Sequence, residues 1–529
     1  MIYILQNLQY SIKKNLACTS KAKDIIFSLC CFLFTSSVHC QKQDYIWLSG
    51  YNSAARTDTG WNSRFGVNKL DFNFSPIQII QDSLGMGFTH TNVSYCDSNG
   101  DILFYSNGIY VANRLDEHIE NSDGLNDGYY TSQYIDASAG NFVDNGILAL
   151  DAPGSPNTYY LIHSFIDTIN TNFNLFCKRT YYSYLSLNEN AGRGKILEKN
   201  QTILSGLLGY DIEATRHANG RDWWILVQRR NTNDYQRILL TPTGLLDISV
   251  SSAGNIVSGL VGASCFSPDG SKYVYVNLTG GINLFDFDRC TGELSNPRYK
   301  PLPIFLDSNL IGVGAAFSPN SRFLYVSAQI HVYQFDLWAT DIWSSIDTVA
   351  RFDGAAHPFG SYFSNMQIAP DGKIYVSCGN GEYVYSVIER PDGLGDSCLF
   401  NQYGLTLPAY TGGGVPNFPN YRLGPLVGSP CDTITAVDEI SPEYKESIIR
   451  AYPNPATDYV IIDYGFIDWN KGNVILEIKN CIGQFLFVQS VPAYSGLHKL
   501  DVSHFPPGFY TANIMRNTQV VAHTNFIKE

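Results

Sequence analysis

The sequence predicts an all-β fold: a ring of small antiparallel sheets followed by a second, smaller β domain. Three observations carry this. Phe266-Ser-Pro-Asp-Gly, Phe317-Ser-Pro-Asn-Ser and Ile368-Ala-Pro-Asp-Gly begin 51 residues apart, and each leads into a Tyr-Val pair at Tyr275, Tyr325 and Tyr375. A period of this length marks a unit that cannot bury its apolar face alone and must stack on copies of itself, as the blades of a β-propeller do. Second, aromatic residues make up 14% of the chain, with 35 Tyr and 30 Phe beside 45 Gly, a balance suited to pleated strands and tight turns. Third, a fresh set of short alternating strands starts after a Pro- and Ser-containing stretch near residue 425.

The N-terminus pairs a basic region (Lys13, Lys14, Lys21, Lys23) with an apolar run from Ile25 to Phe34 and the small residues Thr35, Ser36 and Ser37. The run is too short to span a bilayer and fits a secretory signal covering residues 1–40, with cleavage near Cys40–Gln41. Cys40 as a lipidated first residue is the alternative, against which Val38-His39 speaks. The whole chain has 48 acidic and 35 basic residues, and loss of four Lys with the signal makes the remainder more acidic still. Binding to a phosphate backbone needs clustered Lys and Arg, so nucleic acid is excluded as a partner. Eight cysteines remain after cleavage (Cys96, Cys177, Cys265, Cys290, Cys378, Cys398, Cys431 and Cys481). Export permits disulfides among them, their connectivity stays open, and the absence of any C-x-x-C speaks against a zinc site.

Polar turns followed by an aromatic or β-branched strand recur at residues 99, 157, 219, 269, 320 and 371, which makes six blade units. In the unit after the turn at 219, strands are expected at 263–267, 272–278 and 282–288, with 301–305 outermost. Residues left at the two ends complement one another. Segments 44–50, 67–74 and 77–81 read as a second, third and fourth strand, and 416–424 as an innermost strand. A propeller over 41–424, closed by pairing 416–424 with 44–50, therefore has seven blades, six being the alternative; closure would also remove exposed edges.

Residues 425–448 read as a linker. Strands at 460–464, 474–479, 484–488, 497–502, 509–514 and 520–527 then suit a small β-sandwich over 449–529. Within it, Tyr452-Pro453-Asn454-Pro455-Ala456-Thr457-Asp458, Asn480-Cys481-Ile482-Gly483-Gln484, Phe505-Pro506-Pro507-Gly508-Phe509-Tyr510 and Lys528 resemble the type A C-terminal sorting domain of type IX secretion. The resemblance implies passage through the periplasm and across the outer membrane by the type IX machinery. It further implies removal of the domain, with the remainder released or anchored to lipopolysaccharide at the cell surface. Asn480-Cys481-Ile482-Gly483-Gln484 departs from the commoner Asp-x-x-Gly-Lys turn while keeping turn chemistry. The ring itself is similar to YVTN-type and lactonase-like propellers through Ser267-Pro-Asp-Gly-Ser-Lys-Tyr-Val-Tyr-Val276 and Ala369-Pro-Asp-Gly-Lys-Ile-Tyr-Val376; this implies a fold and leaves the function open.

No G-x-S-x-G, H-E-x-x-H, P-loop or EF-hand motif occurs, and no cofactor or metal is expected. The nearest calcium-like run, Asp123 to Gly128, lacks the twelfth-position Glu and reads as a surface turn. Glu213, His217 and Asp222, at the end of an inner strand, are the only catalytic candidates: a lactonase-like reading has Glu213 and His217 facing the channel as base or ligand. The alternative is that His217 and Arg216 tie one blade to its neighbour. His357 and Gly412-Gly-Gly-Val-Pro mark loops at one mouth. Trp223-Trp224 and Tyr181-Tyr182-Ser-Tyr184 read as packing between blades rather than sugar platforms. The sequence thus points to an exported or cell-surface binding or adhesion module for a glycan or protein, with a channel hydrolase or lactonase-like enzyme as the alternative.

Overall fold

The computed structural model describes residues 41–57, 59–134, 140–168, 175–259, 262–302, 312–432, 448–465, 473–480, 483–492, 495–516 and 519–529. The expected signal segment 1–40, most of the expected linker and Cys481 lie outside them. The chain divides into two compact units, 1–434 and 435–529.

In the first unit every sheet is an antiparallel meander, strands adjacent in sequence being adjacent in space. The opening sheet runs Ile46–Gly50, Val67–Asp71, Gln78–Asp82, and the next Val93–Cys96, Ile102–Ser106, Val111–Asn113. A seven-stranded sheet follows, from Ile147–Asp151 to Gly244–Val257. Three four-stranded sheets begin at Gly262–Phe266, Val313–Phe317 and Met366–Ile368.

The seven-stranded sheet is two repeats joined by one long strand, Lys195–Arg216. Its first part pairs outward with Leu175–Ser186, through Lys195↔Ser186 to Leu208↔Cys177. Its last five residues pair with Trp223–Arg229, from Ile212↔Val227 to Arg216↔Trp223. Irregularities in register between Ile196 and Leu208 let the strand twist from one role into the other. The outer strand of the sheet that begins at Gly262 is Leu294–Lys300, paired with Gly281–Phe287; of the expected outer strand 301–305, residues 303–305 lie outside the described residues. Its exposed, polar Leu-Ser-Asn-Pro-Arg-Tyr-Lys sequence gives no alternation to read, and an edge tolerates its Pro297.

The first strands of consecutive sheets lie beside one another: Val93–Cys96 between Ile46–Gly50 and Ile147–Asp151, and Val313–Phe317 between Gly262–Phe266 and Met366–Ile368. The last sheet also meets the first. Tyr375 packs edge-on against Trp47 and Phe72, with ring centroids 5.5 and 5.9 Å apart. Asn68 exchanges two hydrogen bonds with the Ala409 backbone, at 3.1 and 2.8 Å. One apolar cluster accordingly contains residues from both ends of the unit, Trp47 and Tyr421 among them.

Residues 407–424 carry no strand. The stretch 409–419 is nonetheless buried throughout and runs antiparallel to 44–50, with Tyr410 near Gly50 and Arg422 on Asp44. Pro416 and Pro419 lack the N–H groups a ladder needs, so side chains take over. The Asn417 amide donates to the carbonyls of Asn145, Ile147 and Ile212 at 3.3, 3.3 and 3.0 Å, while its own N–H reaches the Asn92 carbonyl at 3.1 Å. Tyr421 Oη donates to the Ala149 carbonyl at 2.7 Å. At the other end of the segment, Gly412 lies so close to Thr89 that a Cβ there would sit 2.0 Å from the Thr89 Cα. The chain then leaves under two restraints: Arg289 donates to the Gly424 carbonyl, and a disulfide joins Cys290 to Cys431.

In the second unit, Ile448–Tyr452, Tyr459–Gly465 and Ser495–Asp501 form one sheet. The four strands Phe485–Pro492, Asn473–Asn480, Gly508–Arg516 and Gln519–Lys528 form another. Val460 and Ile462 of the first share one buried cluster with Leu476, Ile478, Tyr510 and Phe526 of the second.

Candidate functional site

A cavity of about 250 Å³ opens among the strand Lys195–Arg216 and the first strands of the sheets beginning at Gly262, Val313 and Met366, and Phe418, Pro419, Asn420 and Arg422 wall it on the remaining side. Its rim repeats the sequence period. Pro268, Pro319 and Pro370, the prolines of the three turn signatures, all line it, because equivalent positions of stacked repeats converge on the axis of the array. Asp269 shows how such a turn is built: its carboxylate accepts from Ser267 Oγ at 2.5 Å and from the Ser271 N–H at 2.9 Å.

Inside the cavity the charged groups differ in kind. Asp44 and Arg422 form a two-pronged ion pair at 2.6 and 2.7 Å. Glu213 is 5% exposed and forms no ion pair among the described residues. Burial pushes its carboxyl well above the usual range, and Asp211 two residues earlier on the same strand face adds to the rise. Asp211 is itself buried, with neither carboxylate oxygen hydrogen-bonded, and is raised by burial and by Asp144. Cys265, also on the cavity wall, is held as a neutral thiol by burial, with Glu213 adding to the shift.

His217 and Asp222 do not join Glu213. The His217 ring accepts from the Asn219 N–H at 3.1 Å through Nδ1 and donates to the Cys290 carbonyl at 3.1 Å through Nε2. Asp222 is held by Arg221 Nε and the Asn219 amide, both at 2.8 Å. Arg216 lies 3.7 Å from the Trp223 ring centroid and pairs with Asp151 at 2.7 Å, linking two neighbouring repeats. These three residues serve the hairpin and its neighbours, and none of them lines the cavity.

Elsewhere, His357 sits against Tyr403 with centroids 4.4 Å apart, and Trp223 and Trp224 are buried. Asp123 contacts His118 at 2.6 Å on the surface. Among the described residues no three His, Cys, Asp or Glu side chains gather as a metal site. A further acid that sequence reading missed is Glu382, with 0% exposure, beside the Ser361 hydroxyl and the Cys378 thiol. A single acid inside an aromatic-rich strand offers no pattern by which to find it.

In the second unit the quoted motifs do structural work that explains their spacing. The Asn454 side chain receives the Ile527 N–H at 2.9 Å and donates to the Asn525 carbonyl at 3.2 Å, joining the lead-in to the last strand. Gly483 turns at φ +84°, a conformation that favours glycine, inside a loop where Asn480 Oδ1 accepts the Gln484 N–H. Tyr510 is buried, stacks on Phe526 at 5.4 Å, and donates to the Pro506 carbonyl at 2.5 Å. Gly508 leaves room open beside it, and Lys528 is buried near the end of the final strand. Residues 450–529 match the secretion system C-terminal sorting domain family. This segment is a type IX sorting domain. The sorting domain marks the protein for export, secreted or at the cell surface, and implies engagement with the secretion machinery.

No curated protein matches the chain. Among solved structures, a Bacteroides fragilis protein provisionally assigned as a 6-phosphogluconolactonase is 13% identical, with a TM-score of 0.36, covering 70% of this chain and 98% of its own. The Dos1 propeller is 11% identical at TM-score 0.35, covering 59% and 70%. The Myceliophteria thermophila Cps50 (Swd1) β-propeller domain is 10% identical at TM-score 0.35, covering 59% and 87%. At such scores these likenesses carry no argument for a site, and the propeller-like reading stands on the meander sheets themselves.

Proposed function

We propose that this protein is an exported seven-bladed β-propeller that binds a surface glycan or protein, delivered by a signal peptide over 1–40 and by a C-terminal β-sandwich sorting domain. Seven blades are supported by the count of sheets when the shared strand Lys195–Arg216 is divided between two repeats. The segment 409–424, laid along 44–50, then acts as the closure in place of a ladder strand. After removal of the sorting domain, the propeller is released or held on lipopolysaccharide.

One observation carries binding over catalysis: among the described residues the axial cavity holds a single carboxyl without an ion partner, Glu213, because Asp44 is committed to Arg422 and both His217 and Asp222 are engaged elsewhere. Acid–base hydrolysis needs a second group poised near the first. The raised Glu213 carboxyl is what favours the alternative, a channel hydrolase. A panel of lactones and glycosides decides between them. The binding reading expects no turnover by the full mature chain; turnover lost in Glu213→Gln overturns it. Deletion of 450–529 is expected to leave the chain inside the cell envelope, and unchanged surface delivery would overturn the export reading.

A further inference from the structure

We propose that the axial cavity is an anchor pocket for a lysine side chain of a partner protein, with Glu213 receiving the ammonium group. The inference rests on the binding reading and specifies the partner's chemistry. The cavity volume of about 250 Å³ suits one extended side chain and excludes a folded element. Among its mixed lining, Phe266, Phe317, Met366, Phe418 and the three rim prolines supply an apolar stretch that matches the four-carbon stem of lysine.

The polar end of the match lies on the strand Lys195–Arg216. Glu213 lines the cavity, is about nineteen-twentieths buried and forms no ion pair among the described residues. A buried carboxyl with no cationic side chain beside it holds its proton; as an ammonium enters it releases that proton to solvent and becomes a strong receptor for charge-assisted hydrogen bonds. A compact ammonium with three donors suits one carboxylate on a wall that also carries Thr215 and Ser264. A guanidinium fork calls for more acceptors in one plane. The other charged groups agree. The Asp44–Arg422 pair is internally neutralised, and Cys265 stays a neutral thiol. The acidic excess of the chain, 48 against 35, draws basic partners toward the rim.

The test is saturation-transfer NMR on the full mature chain with Nα-acetyl-lysine methylamide and its uncharged isostere Nα-acetyl-norleucine methylamide. The lysine probe is expected to bind with signal on its Cε protons, and the norleucine probe at least about tenfold more weakly, a difference of about 1.4 kcal/mol. Glu213→Gln is expected to abolish the preference while near-ultraviolet circular dichroism stays that of the wild type. Equal binding of the two probes, no binding of the lysine probe, or an unchanged preference in Glu213→Gln overturns the proposal. If that variant misfolds, the probe comparison on the wild type decides alone. Turnover in the lactone and glycoside panel is a separate readout, so failure of the anchor and failure of the binding reading are told apart.

Discussion

Glu382 gives the sharpest quantitative handle on this fold. Its side chain is shut from solvent, and its carboxyl, ordinarily at 4.5, is raised to about 7 by burial, with the neighbouring Ser361 hydroxyl and Cys378 thiol offsetting part of the rise. At about 1.4 kcal/mol per unit, that displacement corresponds to about 3 kcal/mol of linkage between protonation and folding. Because the folded-state value lies above the unfolded one, the contribution is full below pH 4.5 and is lost as the pH rises through about 7. Glu382→Gln removes the titration. The stability difference, variant minus wild type, is therefore expected to grow by about 3 kcal/mol between pH 4 and pH 8. Urea unfolding followed by tryptophan fluorescence measures it, since six of the seven Trp precede residue 434 and the signal reports the first unit. A difference that stays flat across that interval, within the roughly 10–15% error of extrapolation, refutes the reasoning.

Two further outcomes concern the buried closing segment. Asn417→Ala leaves three backbone carbonyls without their amide donor and is expected to cost about 2–4 kcal/mol in the same urea assay. Cys290→Ser removes a cross-link spanning 141 residues, with an expected loss of about 2–4 kcal/mol; dithiothreitol should lower the wild-type midpoint similarly and leave the variant unmoved.

The sequence showed most clearly what repeats. Pro268, Pro319 and Pro370 fell at one period because one turn was used three times, and the same period put them on one rim. Strand sharing was illegible: Gly206 and Gly209 fall where one repeat hands over to the next, Gly206 at φ +126°, yet the chain runs on as strand through them and the handover is made by twist and register irregularity. The outer strand Leu294–Lys300 hid because an exposed edge needs no apolar alternation. Glu213 was visible as an acid near the end of an inner strand. Its separation from His217 and Asp222 was not, because closeness in sequence across a hairpin says little about which face each side chain takes. The path of 407–424 was half visible: its nearness to 44–50 was expected, whereas the replacement of a ladder by the Asn417 amide depends on three distant carbonyls that no local pattern encodes.

The disulfide at Cys431 has a consequence for what would stay joined under the proposed removal of the sorting domain. It stands upstream of the region matched by the sorting domain, which begins at residue 450, so a protease that clips the address tag anywhere in the intervening stretch cuts beyond the stitch. The inserted plug stays sewn at its trailing end whether or not the tag is still attached. Delivery can therefore be terminated by a cut without unravelling the cargo.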